Sequence, residues 1–187
     1  MSDDAVTATK RIRVYKRAVE VFDQQKTIEN LLETHMDSMN AIFNPDTKRM
    51  QAKMDPDNFL VKRLVAGLKE RGELEGRLPG TAVLLQSLPG CRQQQWHRDY
   101  DITRLRKMHA KKPCGAILAL QDNTKFDSFK HGQYHLDAGD VLVFDGNVVH
   151  AGSSYKELNV RVHIYLNTPS YVLQDNVTFP CKRSVNQ

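Results

Sequence analysis

Between Val160 and Asn167 apolar and polar residues alternate without interruption. Val160, Val162, Ile164 and Leu166 fall on one side, and Arg161, His163, Tyr165 and Asn167 on the other. Successive side chains of a strand point to opposite faces, so this period of two predicts a β-strand. The polar side belongs to a stretch that otherwise reads as core, which predicts a lined cavity rather than open solvent. Upstream, Ala138-Gly139-Asp140 marks a turn, Val141-Leu-Val-Phe144 a strand and Asp145-Gly146 a second turn. Thr81-Ala-Val-Leu-Leu-Gln86 reads as another strand, closed by the turn residues Pro89-Gly90. The pattern predicts strands near 81–87, 93–99, 114–121, 132–136, 140–145 and 158–167. Segment 100–112 reads as a loop or short helix, and 122–131 as a connection.

The first third of the chain carries a different period. Val14, Ala18, Val19, Phe22, Ile28, Leu31 and Leu32 recur near helical spacing and predict a helix over 14–39, broken at Asn44-Pro45-Asp46. A second helix is expected from Asp55-Pro56-Asp57, an Asp cap with Pro in the first turn. It carries Phe59, Leu60, Leu64, Val65 and Leu68 to Arg71-Gly72. Residues 1–9 are polar and expected to be disordered. The 187 residues fit a single domain. Within it, 10–78 forms a helical support, 79–168 a β core and 169–187 a C-terminal tail.

The residues with chemical potential lie in the β part. His97 and Asp99 are two apart and share a strand face. His150 follows the second turn, and Arg161 lies on the next strand. Two imidazoles and one carboxylate form the ligand set that holds non-haem Fe(II) on one side, leaving the opposite positions open for a cosubstrate and O₂. Arg161 offers a planar fork matched to a carboxylate. Gln95 is expected on the His97 face, and His163 and Tyr165 share the Arg161 face. One of these three is expected to contact a cosubstrate, or each to fill the barrel. Trp96 is expected to pack in the core, and His109, His131 and His135 are read as non-ligands.

Residues 81–168 resemble the catalytic core of the Fe(II)/2-oxoglutarate-dependent oxygenases. The resemblance is carried by His97-Arg98-Asp99, by Ala138-Gly139-Asp140-Val-Leu-Val-Phe144 leading to His150, and by Asn159-Val-Arg161-Val-His-Ile-Tyr165. Leu88-Pro89-Gly90 is loosely similar to the prolyl-hydroxylase and phytanoyl-CoA-hydroxylase branches. The resemblance implies a mainly β fold with flanking helices, the double-stranded β-helix or cupin-like jelly roll, braced outside one sheet by the N-terminal helices. It also implies Fe(II), 2-oxoglutarate and O₂ as cofactors, with His97, Asp99 and His150 on the metal and Arg161 on the distal carboxylate of 2-oxoglutarate. The implied reaction is hydroxylation of a substrate, or demethylation through hydroxylation, with release of succinate and CO₂. Halogenases of the superfamily lack the carboxylate ligand, so Asp99 points to hydroxylation. Two other classes stay open: a cupin-type metalloenzyme that does not use 2-oxoglutarate, and a non-catalytic jelly-roll binding module.

Composition narrows the setting. A hydrophobic fraction of 40% and a charged fraction of 26% are those of a soluble globular protein. No apolar run reaches membrane-spanning length, and the acidic start Met1-Ser-Asp-Asp-Ala is not followed by a signal-like apolar stretch. Three cysteines, an odd number without metal-type spacing, read as reduced thiols in an intracellular protein of cytoplasm or nucleus. The net charge is +5. Lys10, Arg11, Arg13, Lys16 and Arg17 make one basic cluster; Arg104, Arg106, Lys107, Lys111 and Lys112 make another, directly after the metal-binding strand. The second is expected near the active-site mouth, where it would attract an anionic substrate, or else to be a solvated loop. No nucleic-acid-binding motif is present, although nucleic acid is compatible with the charge.

Overall fold

The computed structural model describes residues 11–42, 48–173 and 178–181; segment 1–9 lies outside the described residues. The strands are β1 (Ile12–Tyr15), β2 (Asn40–Ala41), β3 (Arg49–Lys53), β4 (Leu78–Ser87), β5 (His97–Arg98), β6 (Cys114–Ala119), β7 (Thr124–Ser128), β8 (Gly132–Leu136), β9 (Val141–Asp145), β10 (His150–Gly152), β11 (Asn159–Asn167) and β12 (Phe179–Pro180). The helices are α1 (Gln24–His35), α2 (Phe59–Glu70) and α3 (Ile102–Arg106). They build a seven-stranded sheet in the order β1-β9-β6-β11-β4-β3-β2 and a five-stranded sheet in the order β12-β5-β10-β7-β8. All the pairings are antiparallel. This is the double-stranded β-helix, mainly β with flanking helices.

β11 lies at the centre of the larger sheet, between β6 and β4, and its alternation sorts the molecule into layers. Val160, Val162, Ile164 and Leu166 face outward and pack with Leu31 of α1 and with Leu60, Leu64 and Leu68 of α2. The helices therefore brace the outer face of one sheet. Leu64 and Leu68 are essentially sealed from solvent, each burial contributing about 1.5–3 kcal/mol. Between the sheets, Ile117, Leu142 and Phe144 meet Phe126 and Leu136 of the smaller sheet, closing one part of the interior. The remaining inward positions, Arg161 and His163 among them, are polar and lie in the open part.

Several elements differ from the expected ones. The helix expected over 14–39 is a strand, β1, followed by an irregular crossing and then α1, capped by Asp23 accepting from the Lys26 amide. Val14 pairs with Ile12 at strand spacing as well as with Ala18 at helical spacing, and the open edge of β9 supplies the backbone partners. The crossing then packs against the β8–β9 turn, where the Val19 amide donates to the Gly139 carbonyl. Gly139 has φ +87, and a Cβ there would stand 2.4 Å from the Val19 carbonyl oxygen, so only glycine fits. α2 begins at Phe59, with Asn58 as its cap rather than an Asp of the Asp55-Pro56-Asp57 signal. The expected strand at 93–99 shrinks to His97–Arg98. β2, β3, β7 and β10 were not foreseen as strands.

β1 is pinned by charge as well as by pairing. Arg13 and Tyr15, on its outward face, both donate to Glu73 in the turn after α2, and Arg77 reaches the same carboxylate. Burial alone would raise the Glu73 pKa; the hydrogen bonds from Arg13 and Tyr15 and the charges of Arg13 and Arg77 outweigh it and hold the group below its ordinary 4.5. With the folded-state value depressed, this contribution to stability is complete above about 4.5 and fades as pH falls through the depressed value. Glu73→Gln is expected to cost about 3 kcal/mol at neutral pH, since it leaves Arg13 short of its main partner. It should also flatten the loss of melting temperature on acidification, as measured by thermal melts from neutral pH into the acid range.

Candidate metal centre and carboxylate pocket

His97 and His150 stand directly opposite one another on β5 and β10. Asp99 follows β5 immediately, and all three are buried. One ligand atom from each of His97, Asp99 and His150 can be chosen so that all lie within 4.8 Å of one another. Asp99 Oδ1 is 3.5 Å from His150 Nε2 and 3.8 Å from His97 Nε2. The other ring nitrogens face backbone carbonyls: His97 Nδ1 lies 2.8 Å from Gln95 O and His150 Nδ1 3.2 Å from Val148 O. A carbonyl only accepts, so Nδ1 carries the hydrogen in both rings, and in the neutral form of each ring Nε2 offers a lone pair on the side of Asp99. Two such lone pairs and an anionic oxygen fit a divalent metal of the non-haem iron type.

The surroundings keep these groups in binding-competent states. Burial pushes the His97 pKa down to about 4, with His150 acting in the same sense and Asp99 against it. Burial would raise Asp99, but attraction to His150, His163 and His97 overrides it and holds the carboxyl well below the usual range. The His150 ring is stacked on Phe126 at 5.2 Å and braced by Phe144 at 4.6 Å, which limits its rotation.

Arg161 projects from the inward face of β11 into the same cavity, whose volume is about 80 Å³. Its Nη1 donates to Ser87 Oγ at 3.1 Å and to Asn159 Oδ1 at 3.2 Å. Its Nε and Nη2 make no hydrogen bond among the described residues, and no carboxylate pairs with it. Ser87 is held from the other side by Arg49 Nη1. Arg49 is itself buried and staples the carbonyls of Arg92, Gly152 and Ser153. The guanidinium of Arg161 is thus fixed by one nitrogen and offers the rest to an anion within the cavity.

The neighbouring candidates separate. His163 and Tyr165 line the cavity, as expected from their face of β11. His163 does so beside the metal group: its Nε2 is 3.5 Å from Asp99 Oδ2, and both atoms are buried without a hydrogen-bond partner. Gly115 makes room for that ring, since a Cβ there would stand 2.9 Å from His163 Nε2. Gln95 does not line the cavity. Its side chain is exposed and only its carbonyl serves the site; residues 92–96 are not in a strand, so the two-residue alternation does not hold there. Gln94 lines the cavity instead and accepts from the Gly152 amide. Trp96 is half-buried, edge-on to Phe129 at 5.4 Å. His109, His131 and His135 are exposed. The basic segment 104–112 does not reach the cavity mouth: Gln51, Gln94, Lys125 and Thr178 line the cavity, and Arg104 packs on Tyr171. Asn159 was legible as the residue two before Arg161 on the same face; Ser87 carried no signal in sequence.

No family model matches the sequence, and no curated protein matches it. Among solved structures, AviO1 from Streptomyces viridochromogenes Tue57 superposes with a TM-score of 0.64 at 12% identity, covering 88% of this chain and 93% of that one. HygX from Streptomyces hygroscopicus, solved with nickel and 2-oxoglutarate bound, gives 0.63 at 9% identity, over 87% and 84%. A Pseudomonas putida prolyl-4-hydroxylase gives 0.60 at 14%, over 84% and 92%. These likenesses show the fold, that of the 2-oxoglutarate oxygenases. No helix among the described residues is long and apolar enough to cross a membrane.

Proposed function

We propose that the protein is an Fe(II)- and 2-oxoglutarate-dependent dioxygenase that hydroxylates its substrate, or demethylates it through hydroxylation. The observation that carries this reading is the placement of a two-His-one-carboxylate group and an unpaired guanidinium in one buried cavity. His97, Asp99 and His150 would hold Fe(II), and Arg161 would hold the distal carboxylate of 2-oxoglutarate through Nε and Nη2. With O₂, that pair supplies the oxidising chemistry: one oxygen atom ends in succinate as CO₂ leaves, the other in the substrate. The chain's own work is positional. Ser87 and Asn159 set the Arg161 fork, Gln95 O and Val148 O set the imidazole tautomers, and Phe126 and Ile117 keep the cavity apolar on one side. Pockets that engulf a small molecule run about 300–1,000 Å³. The 80 Å³ here takes the reacting end of a substrate rather than all of it, with Gln51, Gln94 and Lys125 positioned to meet the remainder. A cupin-type site without 2-oxoglutarate has no use for Arg161.

Anaerobic titration of the Fe(II)-loaded protein with 2-oxoglutarate tests the proposal. A weak visible charge-transfer band that saturates is expected; its absence, with iron bound, would leave the cupin-type reading. Succinate release across a panel of small molecules, peptides and nucleic acids then addresses the substrate.

His163 is the positioning residue of this reading. Its Nε2 would donate to Asp99 Oδ2, leaving Oδ1 for the metal. His163→Phe is expected to weaken Fe(II) or Co(II) binding about 10–100-fold with little change in 2-oxoglutarate affinity once metal is saturating. The reverse pattern in the two titrations would make His163 a cosubstrate contact.

A further inference from the structure

A second cavity, of about 310 Å³, shares no lining residue with the metal cavity. Arg98 turns into it, while His97 and Asp99 on either side in sequence line the metal site. Its walls are α3, through Ile102, Leu105 and Arg106, the segment 147–149 ahead of β10, and the end of β7 with the following turn. Around it stand Arg11, Arg98, Arg106, Lys112, Lys130 and His131, and among the described residues no aspartate or glutamate lines it. Several basic groups elsewhere are compensated, Arg13 and Arg77 by Glu73 and Lys16 by Asp140. Here they are not. Arg98 donates only to Asn147 O and Cys181 Sγ, and the side chains of Arg11, Arg106, Lys112 and Lys130 have no hydrogen-bond or ion-pair partner among the described residues.

Gathering like charges around a concave surface costs free energy and raises the local concentration of anions. A second, independent observation points the same way. Ser128 lines the cavity at 3% exposure, and its Oγ, which can donate, has no hydrogen-bond partner. A buried hydroxyl left unpaired costs about 1–3 kcal/mol, which an anionic oxygen placed against it would recover. We infer that this cleft binds the phosphate group of a small phosphorylated molecule. Arg98 and Arg106 supply forks that match phosphate oxygens, and Lys112 and Lys130 act as point charges at the rim. The volume lies at the lower end of the range for pockets that enclose small ligands, about 300 Å³ upward. The charge is gathered in one concavity rather than spread along a stripe, which favours a compact ligand over a nucleic-acid backbone. The inference stands whether or not the metal site performs the proposed oxygenation.

The test is calorimetric titration of the full chain at low ionic strength with inorganic phosphate and ribose 5-phosphate. Ribose serves as the uncharged control and a single-stranded oligonucleotide as the competing ligand. Trp96, the one tryptophan of the chain, packs on Phe129 next to Lys130 and gives a fluorescence readout of the same event. Saturable binding of both phosphates and none of ribose is expected. Arg106→Gln with Lys130→Gln should weaken it at least tenfold. Lys26→Gln with Lys69→Gln, which removes equal charge from α1 and α2, should leave it unchanged. Ser128→Ala should weaken binding by a smaller factor while its circular dichroism stays native. Equal weakening in the two double variants would reduce the effect to diffuse surface charge and overturn the site. So would absence of saturation, displacement of ribose 5-phosphate by 2-oxoglutarate, or oligonucleotide binding tighter than either phosphate and sensitive to the same pair.

Discussion

Asp99→Ala is expected to abolish succinate formation and to lower Fe(II) affinity by at least about 100-fold, more than the 10–100-fold typical of losing an outer hydrogen-bond partner. Asp99 Oδ1 is the shared vertex between His97 Nε2 and His150 Nε2, and among the described residues no other carboxylate lines the cavity. Its lowered pKa keeps it ionised throughout the neutral range, so among the described lining residues it is the one that brings a negative charge to a divalent cation there. Without it, two neutral imidazoles remain on one side of the site and the metal's preferred geometry is lost. The fold should survive. The lowered pKa means that the folded protein favours the ionised carboxylate, through His150, His163 and His97, and the substitution gives up that contribution. The variant is expected to unfold cooperatively but below the wild-type melting temperature at neutral pH, while Co(II) titration shows no tight site. A variant that retained wild-type metal affinity would remove Asp99 from the ligand set.

Arg161→Ala is expected to raise the 2-oxoglutarate dissociation constant by roughly 30- to 3,000-fold, the equivalent of about 2–5 kcal/mol for truncating one partner of a buried, hydrogen-bonded charge pair. Iron affinity should barely move, because Arg161 contacts none of the three metal-ligating side chains by hydrogen bond. Ser87 keeps its bond to Arg49, and Asn159 keeps its bond to Thr124, so the pocket wall should hold its shape. Arg161→Lys should fall between the two, since an ammonium keeps the charge but loses the planar fork and the simultaneous grip of Ser87 and Asn159. The anaerobic 2-oxoglutarate titration reads both variants. A normal titration by Arg161→Ala would place the distal carboxylate elsewhere in the cavity.

The parts of the fold legible in sequence were those whose apolar positions form a clear period or an unbroken run. β11 alternates because one face meets α1 and α2 and the other meets the cavity, so its residues declare both. β4, β6 and β9 read as strands because they are short apolar runs, β6 and β9 being buried on both faces, and α2 reads as a helix because its apolar stripe covers that sheet. β7 failed to declare itself. Thr124-Lys-Phe-Asp-Ser has one large apolar residue, and its polar members are buried by satisfying one another, Asp127 by Gln93 and Gln133, Thr124 by Asn159. β10 is three residues long and β5 two, too short for any period. β1 was masked by an ambiguity, since Val14 pairs with Ala18 at helical spacing and with Ile12 at strand spacing until the edge of β9 chooses.

The site divides along the same line. The sequence by itself determined the chemistry: which side chains could bind a metal, which could bind a carboxylate, and that Arg161, His163 and Tyr165 share a face, because spacing along one strand fixes direction. Tertiary structure alone decided everything that depends on residues far apart in the chain. It brought His150 opposite His97, set Ser87 and Arg49 behind Arg161, turned Gln95 outward in favour of Gln94, aimed His163 at Asp99, and drew Arg11, Arg98, Arg106 and Lys130 around a cleft of their own. The physical reason is that a strand's own period says which way a side chain points, whereas what it points at is set by sheet register and layer packing, which no local pattern encodes.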